Sequence, residues 1–189
     1  MTSEKCELIA HLYRRAGFGI TKDELSALSS RNYEEIAESL LDPSQDSGVN
    51  IDTWRRYHNG THHQIYRNEW IYKMVNTKNP LEEKMALFWH HVFATGQSKL
   101  EHPTVMGIQI DMLRSVGMTN FRDILVALSK DPAMIYWLDN SENHNGSPNE
   151  NYGRELLELF SMGVGNYDED DIKNASRAFT GWTFNQPVP

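Results

Sequence analysis

Apolar residues recur along this chain at intervals of three and four, in runs separated by glycine, proline and asparagine or aspartate. That spacing predicts helices and no clear strand. Residues 5–16 group Leu8, Ile9, Leu12 and Tyr13, and Gly17 and Gly19 punctuate the end. Thr21 caps a short helix to Leu28, with Glu24 at the capping-box distance. Tyr33, Ile36, Ala37, Leu40 and Leu41 mark a helix over 32–41. Residues 42–52, with Pro43 and Gly48, predict a flexible loop. The pattern resumes over 53–77. Trp54 and Tyr57 precede a break at Asn59 and Gly60, and Ile65, Trp70, Ile71, Met74 and Val75 follow it.

Downstream the stripes are broader. Leu81, Met85, Phe88, Trp89 and Val92 predict a helix over 81–94, stopped by Gly96. Residues 103–116 carry Val105, Met106, Ile108, Met112, Leu113 and Val116 as a buried face, interrupted by Gln109, with Gly117 as the cap. Asn120 caps the next helix, with Phe121, Ile124, Leu125 and Leu128 facing inward. Asp131 and Pro132 restart the helix through Leu138, and residues 139–146 form a polar loop that is a candidate rim of a binding site.

The stretch 147–182 is the densest in signals. Ser147, Pro148 and Glu150 predict a helix start, and the helix runs to about Met162 before Gly163. Tyr152, Leu156, Leu159 and Phe160 form its apolar stripe, widened by Leu157. Glu150, Arg154 and Glu158, each four apart, form a charged row beside Asn151 and Glu155. Asp168 caps a second helix to Phe179, with Asp171 three residues on as a near capping box. Its inner face is Ile172, Ala175, Ala178 and Phe179, and the two alanines are expected to permit close approach. A short glycine turn joins the pair into an αα-hairpin.

The expected fold class is therefore all-α: an irregular multi-helix bundle with connecting loops. A length of 189 residues suits a single helical domain, or the N-terminal part of a larger one. The terminal WTFNQPVP resembles the start of a further element, which implies a truncated domain with sequence beyond Pro189. A net charge of -8 argues against nucleic acid as a partner. One cysteine, Cys6, excludes an internal disulfide and any multi-cysteine metal site. No run approaches the ~20 apolar residues of a membrane span. The chain taken alone reads as cytoplasmic, and as periplasmic or otherwise exported if a signal peptide was removed.

No zinc-protease, P-loop, dinucleotide or nucleophile-elbow motif occurs. His58 and His62 would share a helix face only if the helix ran through Gly60, and surface or structural roles suit these histidines and His63 better. Glu83 and His90 lie on one face but about 10 Å apart along the axis. The acidic run Asp168–Asp171 reads as a helix cap rather than a metal loop. A hydrolytic or metal-assisted site would draw on Asp139, Glu150, Glu155 and His90, with Arg154 holding an anion or a carboxylate.

HLYRRAGFG, PLEEKMALFWHHVFAT, NFRDILVALSKDPAMIYWLDN and PNENYGRELLELFSMGVGNYDEDDIKNASRAFTGW together resemble the bacterial domain-of-unknown-function 1800 family, from His11 to Trp182. The resemblance implies a mostly helical, often exported protein longer than this chain. It also implies a protein partner related to sulfatase-like proteins, whose genes often neighbour the family's. Its marked polar positions here are His11, Arg15, His90, Asn149, Glu150, Asn151, Arg154, Glu155, Glu158 and Arg177, with Trp182. The family commonly has asparagine where this chain has His91, which counts against a role for His91.

Two functional expectations follow. One is a polar, metal-dependent or hydrolytic site, for which a divalent metal is the cofactor to consider. The alternative is a protein-interaction or scaffold module acting with an exported partner. The alternative predicts a contiguous exposed apolar surface, with Trp54, Trp70 or Trp182 as contributors.

Overall fold

The helical periodicity is realised throughout the computed structural model, which describes residues 3–42, 47–58, 60, 62–100 and 102–184. These residues form eleven α-helices and one single-turn 3-10 helix, with an isolated bridge between His144 and Ser147 in place of any sheet. The fold is an irregular all-α bundle. The chain divides into two compact units, Met1–Phe88 and Trp89–Pro189.

In the first unit, α1 (Ser3–Ala16), α2 (Lys22–Leu28), α3 (Tyr33–Leu41), α4 (Ile51–Tyr57) and α5 (His63–Asn76) are followed by most of α6 (Pro80–Phe93). The Thr21–Glu24 capping box forms as expected. Ile9 and Ile36 are fully buried, and Trp54 is nearly so. Because α4 begins at Ile51, the loop expected over 42–52 is shorter, and Pro43 to Asp46 lie outside the described residues. The break between α4 and α5 falls where it was expected, with Gly60 at φ +144°, while Asn59 lies outside the described residues.

One inner position of α5 is a carboxylate. Glu69 is buried, and its oxygens accept from Arg55 at 3.0 and 2.9 Å and from Lys73 at 3.0 Å. Burial works to raise its pKa, but the bonds from Arg55 and Lys73 outweigh it and hold the group below the usual glutamate value.

The second unit takes the end of α6, then α7 (Pro103–Val116), α8 (Phe121–Ser129), α9 (Pro132–Trp137), the 3-10 turn Asn140–Glu142, α10 (Asn151–Glu158) and α11 (Glu169–Ala178). Phe93, Leu113, Ile124, Leu128, Met134, Tyr152 and Phe160 form its core. Phe93 carries much of the aromatic packing. Trp89 stacks on it at 5.5 Å and Phe160 meets it edge-on at 5.4 Å.

Several expected stripes are rotated. Phe88, Ile108 and Phe121 are about half exposed, whereas Ala86, Phe93 and Ile110 are buried. The expected helix stop at Gly96 is replaced by Ala94, which takes the left-handed conformation at φ +45° directly after α6. Gly117 ends α7 in right-handed geometry, not as a left-handed cap. Its carbonyl accepts the Trp89 indole N–H at 2.8 Å, and an added Cβ would lie 3.1 Å from that ring. Close approach, not φ, is what glycine permits there.

Candidate polar site

Six of the polar positions singled out in the sequence, Asn149, Glu150, Asn151, Arg154, Glu155 and Glu158, lie on α10 or directly before it. The helix starts later than its capping signals imply. Ser147 is not its cap. The Ser147 amide donates to the His144 carbonyl at 2.9 Å, and His144 returns the bond at 3.3 Å. Asn143 competes successfully for the segment that follows, its Oδ1 accepting the Asn149 amide at 3.0 Å. Asn149 Oδ1 then accepts the Asn151 amide at 2.9 Å, and α10 begins at Asn151 with Glu150 in the cap position. The helix ends at Glu158, four residues before the expected Met162, and Gly163 takes the left-handed position at φ +79°.

Asn143 is 1% exposed and holds three segments together. Besides Asn149, its Nδ2 donates to the Ser176 carbonyl at 2.8 Å and to Asn140 Oδ1 at 3.2 Å, and its carbonyl accepts the Gly181 amide at 2.9 Å. An asparagine reading as loop rim is thus a buried brace.

The hairpin forms as expected, with the Asp168–Asp171 capping box intact, so the acidic run acts as a helix cap. Its close contact is elsewhere than expected. Ala178 is exposed, and Ser176 takes the buried position. A Cβ on Gly153 would lie 2.6 Å from Ser176 Oγ and 3.0 Å from the Ser176 amide nitrogen. Tyr152, beside it, is buried, sets its ring edge-on to Phe179 at 4.9 Å and shares a 2.6 Å hydrogen bond with Ser129. Leu159, expected in the stripe, is 65% exposed.

The charged row reorganises across the hairpin. Arg154 forks onto Glu169 of α11 at 3.1 and 3.0 Å and reaches Glu150 at 3.2 Å. The bonds to Glu169 come first in raising the Arg154 pKa, and Arg154 in turn lowers that of Glu169. Glu158 accepts the Tyr167 hydroxyl at 2.9 Å. Glu155 is half-buried and makes no side-chain hydrogen bond among the described residues.

At the start of α10, Asn151 Nδ2 donates to Asp139 Oδ2 at 3.4 Å. Asp139 has left-handed backbone at φ +55° and pairs with Lys99. Lys99 also donates to the Trp137 carbonyl at 2.9 Å, putting a cation at the C-terminal end of α9. The structure therefore joins Asp139 with Asn151, and Glu150 with Arg154.

The other positions take no part in these bonds. His11 and Arg15 are exposed on α1, in the first unit, and Arg177 is exposed on α11. Trp182 is partly exposed. His90 is half-buried, and burial first, then the neighbouring His91, lowers its pKa, so it favours the neutral imidazole. His58 ends α4, with its ring stacked 4.4 Å from Trp54, and His62 precedes α5, so the two do not share a helix face. Among the described residues no group of three or more His, Cys, Asp or Glu is placed to hold a metal ion.

A second polar cluster lies inside the same unit. Asp131 caps α9, its Oδ2 accepting the Met134 amide at 2.8 Å and Gln109 Nε2 at 2.8 Å. Gln109 Oε1 accepts the Thr95 hydroxyl. Burial is the main cause that pushes the Asp131 pKa up to about 6. The clue in the sequence was Gln109, one polar residue within an otherwise apolar stripe of α7.

The family described as "Protein of unknown function (DUF1800)" matches residues 11–188. The chain belongs to this family. No curated protein and no solved structure matches the chain. The DUF1800 match spans both units, and the α10–α11 hairpin with its clamps lies within it. No described helix is long and apolar enough to cross a membrane.

Proposed function

We propose that the chain is a protein-interaction module whose presented element is the α10–α11 turn. One observation carries this reading: Leu159, Met162 and Val164 stand 65%, 46% and 78% exposed at a turn whose flanking helices are clamped together. The Arg154–Glu169 fork, the Glu158–Tyr167 bond and the Gly153–Ser176 contact hold the hairpin together. A rigid mount bearing exposed apolar side chains suits docking, since little ordering entropy remains to be lost on binding. The family resemblance suggests an exported, sulfatase-like protein as the partner. A photo-crosslinking residue at Val164 is expected to label one protein reproducibly, and the same residue at Lys130, exposed at the end of α8, is not. Equal labelling from both positions would overturn the reading.

A hydrolytic reading is favoured by a different observation. Glu155, half-buried and without a side-chain bond among the described residues, sits one turn beyond Asn151, which holds Asp139. On that reading Glu155 is a general acid or base. Glu155→Gln would lower turnover of a responsive ester, phosphoester or glycoside roughly 100-fold or more without altering stability. Turnover unchanged by that substitution would remove Glu155 from the chemistry.

A further inference from the structure

The C-terminal half of α1 presents a surface that the functions above leave unused. Residues 8–22 carry His11, Arg14, Arg15 and Lys22 and no carboxylate. Leu8, His11 and Arg15 recur at helical spacing on one face, and all three are exposed, as is Arg14. Neither arginine makes a side-chain hydrogen bond or ion pair among the described residues. Leu8 is 50% exposed, and Phe18, just past the helix, 43%. The backbone at Phe18 is firmly held. Lys84 donates to the Gly17 carbonyl at 3.1 Å and lies 5.0 Å over the Phe18 ring, and a Cβ on Gly17 would lie 2.6 Å from Pro80. Cations and apolar side chains thus share a surface that is already ordered.

The α10–α11 turn has the opposite sign. Residues 155–171 contain six carboxylates and no lysine or arginine, in a chain whose whole net charge is -8. Arg154 and Lys173, at the borders, pair with Glu169 and Asp170. Glu155, Glu158, Asp168 and Asp171 have no ion-pair partner among the described residues. Their bonds to the Tyr167 hydroxyl and to cap amides leave the charge in place. Among these carboxylates stand the exposed Leu159, Met162 and Val164. The acidic collar decides what these apolar side chains can meet. It repels anionic lipid and nucleic acid, and a purely apolar partner would strip water from the carboxylates without replacing it. The fitting occupant carries exposed apolar groups among cations, as the end of α1 does.

We propose that the α1 surface of one copy of this chain docks on the α10–α11 turn of a second copy. Leu8 and Phe18 then meet the apolar side chains of the turn, and Arg14 and Arg15 meet its carboxylates. The proposal rests on the reading of the turn as a docking element, and adds a second copy to the partners of that turn. Two copies of net charge -8 repel at long range. At physiological ionic strength that repulsion is screened beyond about 8 Å, while the close pairs are screened much less. The contact joins two different surfaces, so each pair keeps one free surface of either kind and association does not have to stop at two.

Sedimentation equilibrium of the full chain tests this. The weight-average mass should rise above the monomer between about 10 µM and 1 mM, the range of a small, transient interface. Arg15→Glu should weaken the association about tenfold or more. Lys130→Glu makes the same change of net charge at an exposed position outside both stretches, and should leave the association unaltered. Leu159→Ser combined with Val164→Ser should weaken it as Arg15→Glu does. The deciding sample mixes that double variant with Arg15→Glu. Each lacks one surface, but together they hold one intact surface of each kind, so the mixture should form a pair and go no further. A wild-type chain still monomeric at about 1 mM would overturn the proposal. So would a mixture that stays monomeric where the wild type associates. Either result beside specific photo-crosslinking from Val164 to another protein would leave the docking role of the turn standing, whereas no specific crosslink from Val164 would remove that role as well.

Discussion

Gly153 shows how much one absent methyl group decides. The backbone of α10 comes so near α11 that an added Cβ would meet Ser176 Oγ at 2.6 Å, the Ser176 nitrogen at 3.0 Å and the Ile172 carbonyl at 3.3 Å. Ser176 cannot simply turn away, because its hydroxyl is bonded to Ile172 and two of the three contacts are backbone. Gly153→Ala gains helix propensity of about 1 kcal/mol, yet overpacking of this kind costs about 1–3 kcal/mol. Urea denaturation should therefore show a net loss of stability, and a more stable variant would contradict the tight contact.

Asp131 gives a second residue-level expectation, with a sign that can be worked out. Its folded pKa is raised from 3.8 to about 6, so between those values the folded chain holds a proton that the unfolded chain has released. This contribution is fully present below about pH 4 and is lost as pH rises to 6, by on the order of 3 kcal/mol. Asp131→Asn caps α9 comparably and does not titrate, so its stability should be flatter over that window. An unchanged slope in chemical denaturation from pH 4 to pH 7 would place the effect elsewhere.

At the scale of elements, the sequence was legible where structure is local. Helix periodicity, the Thr21 and Asp168 capping boxes and the break near Gly60 depend on neighbours within a few residues, and each appears as read. The start of α10 was misread for the converse reason. Ser147, Pro148 and Glu150 carry a strong local start signal, but Asn143 fixes the Asn149 amide and is itself anchored by Ser176, 33 residues away. Nothing in the local pattern reports such an anchor. The two accounts of this helix start differ experimentally. Asn143→Ala leaves buried donors and acceptors unpaired on three segments and should cost roughly 2–4 kcal/mol in thermal or urea unfolding. Ser147→Ala, which would matter had Ser147 been the cap, should stay within about 0.5 kcal/mol. Comparable losses from both would restore Ser147 to the role its sequence context suggests.

For the molecule as a whole, the same distinction separates what periodicity could announce from what it could not. The family-marked row Glu150, Arg154, Glu158 was visible as a row, but Arg154 finds its fork on Glu169 of the next helix, and Lys99 finds Asp139 across 40 residues. Such pairings arise only once the second unit has packed. Its core draws solely on residues from Trp89 to Phe179, which implies that this unit carries the information for its own folding. A chain of residues 80–189, beginning at the first residue of α6 so that no helix is cut, should unfold in one cooperative transition monitored by circular dichroism. Introduced there, Gly153→Ala should change stability by the same amount as in the full chain, to within about 0.5 kcal/mol, because distant independent sites add. A shortened chain without a cooperative transition would mean that residues before 80 are needed to form this core. A cooperative transition with a much smaller effect of Gly153→Ala would mean that the hairpin packs differently in isolation, and the tight contact with Ser176 would then depend on the rest of the molecule.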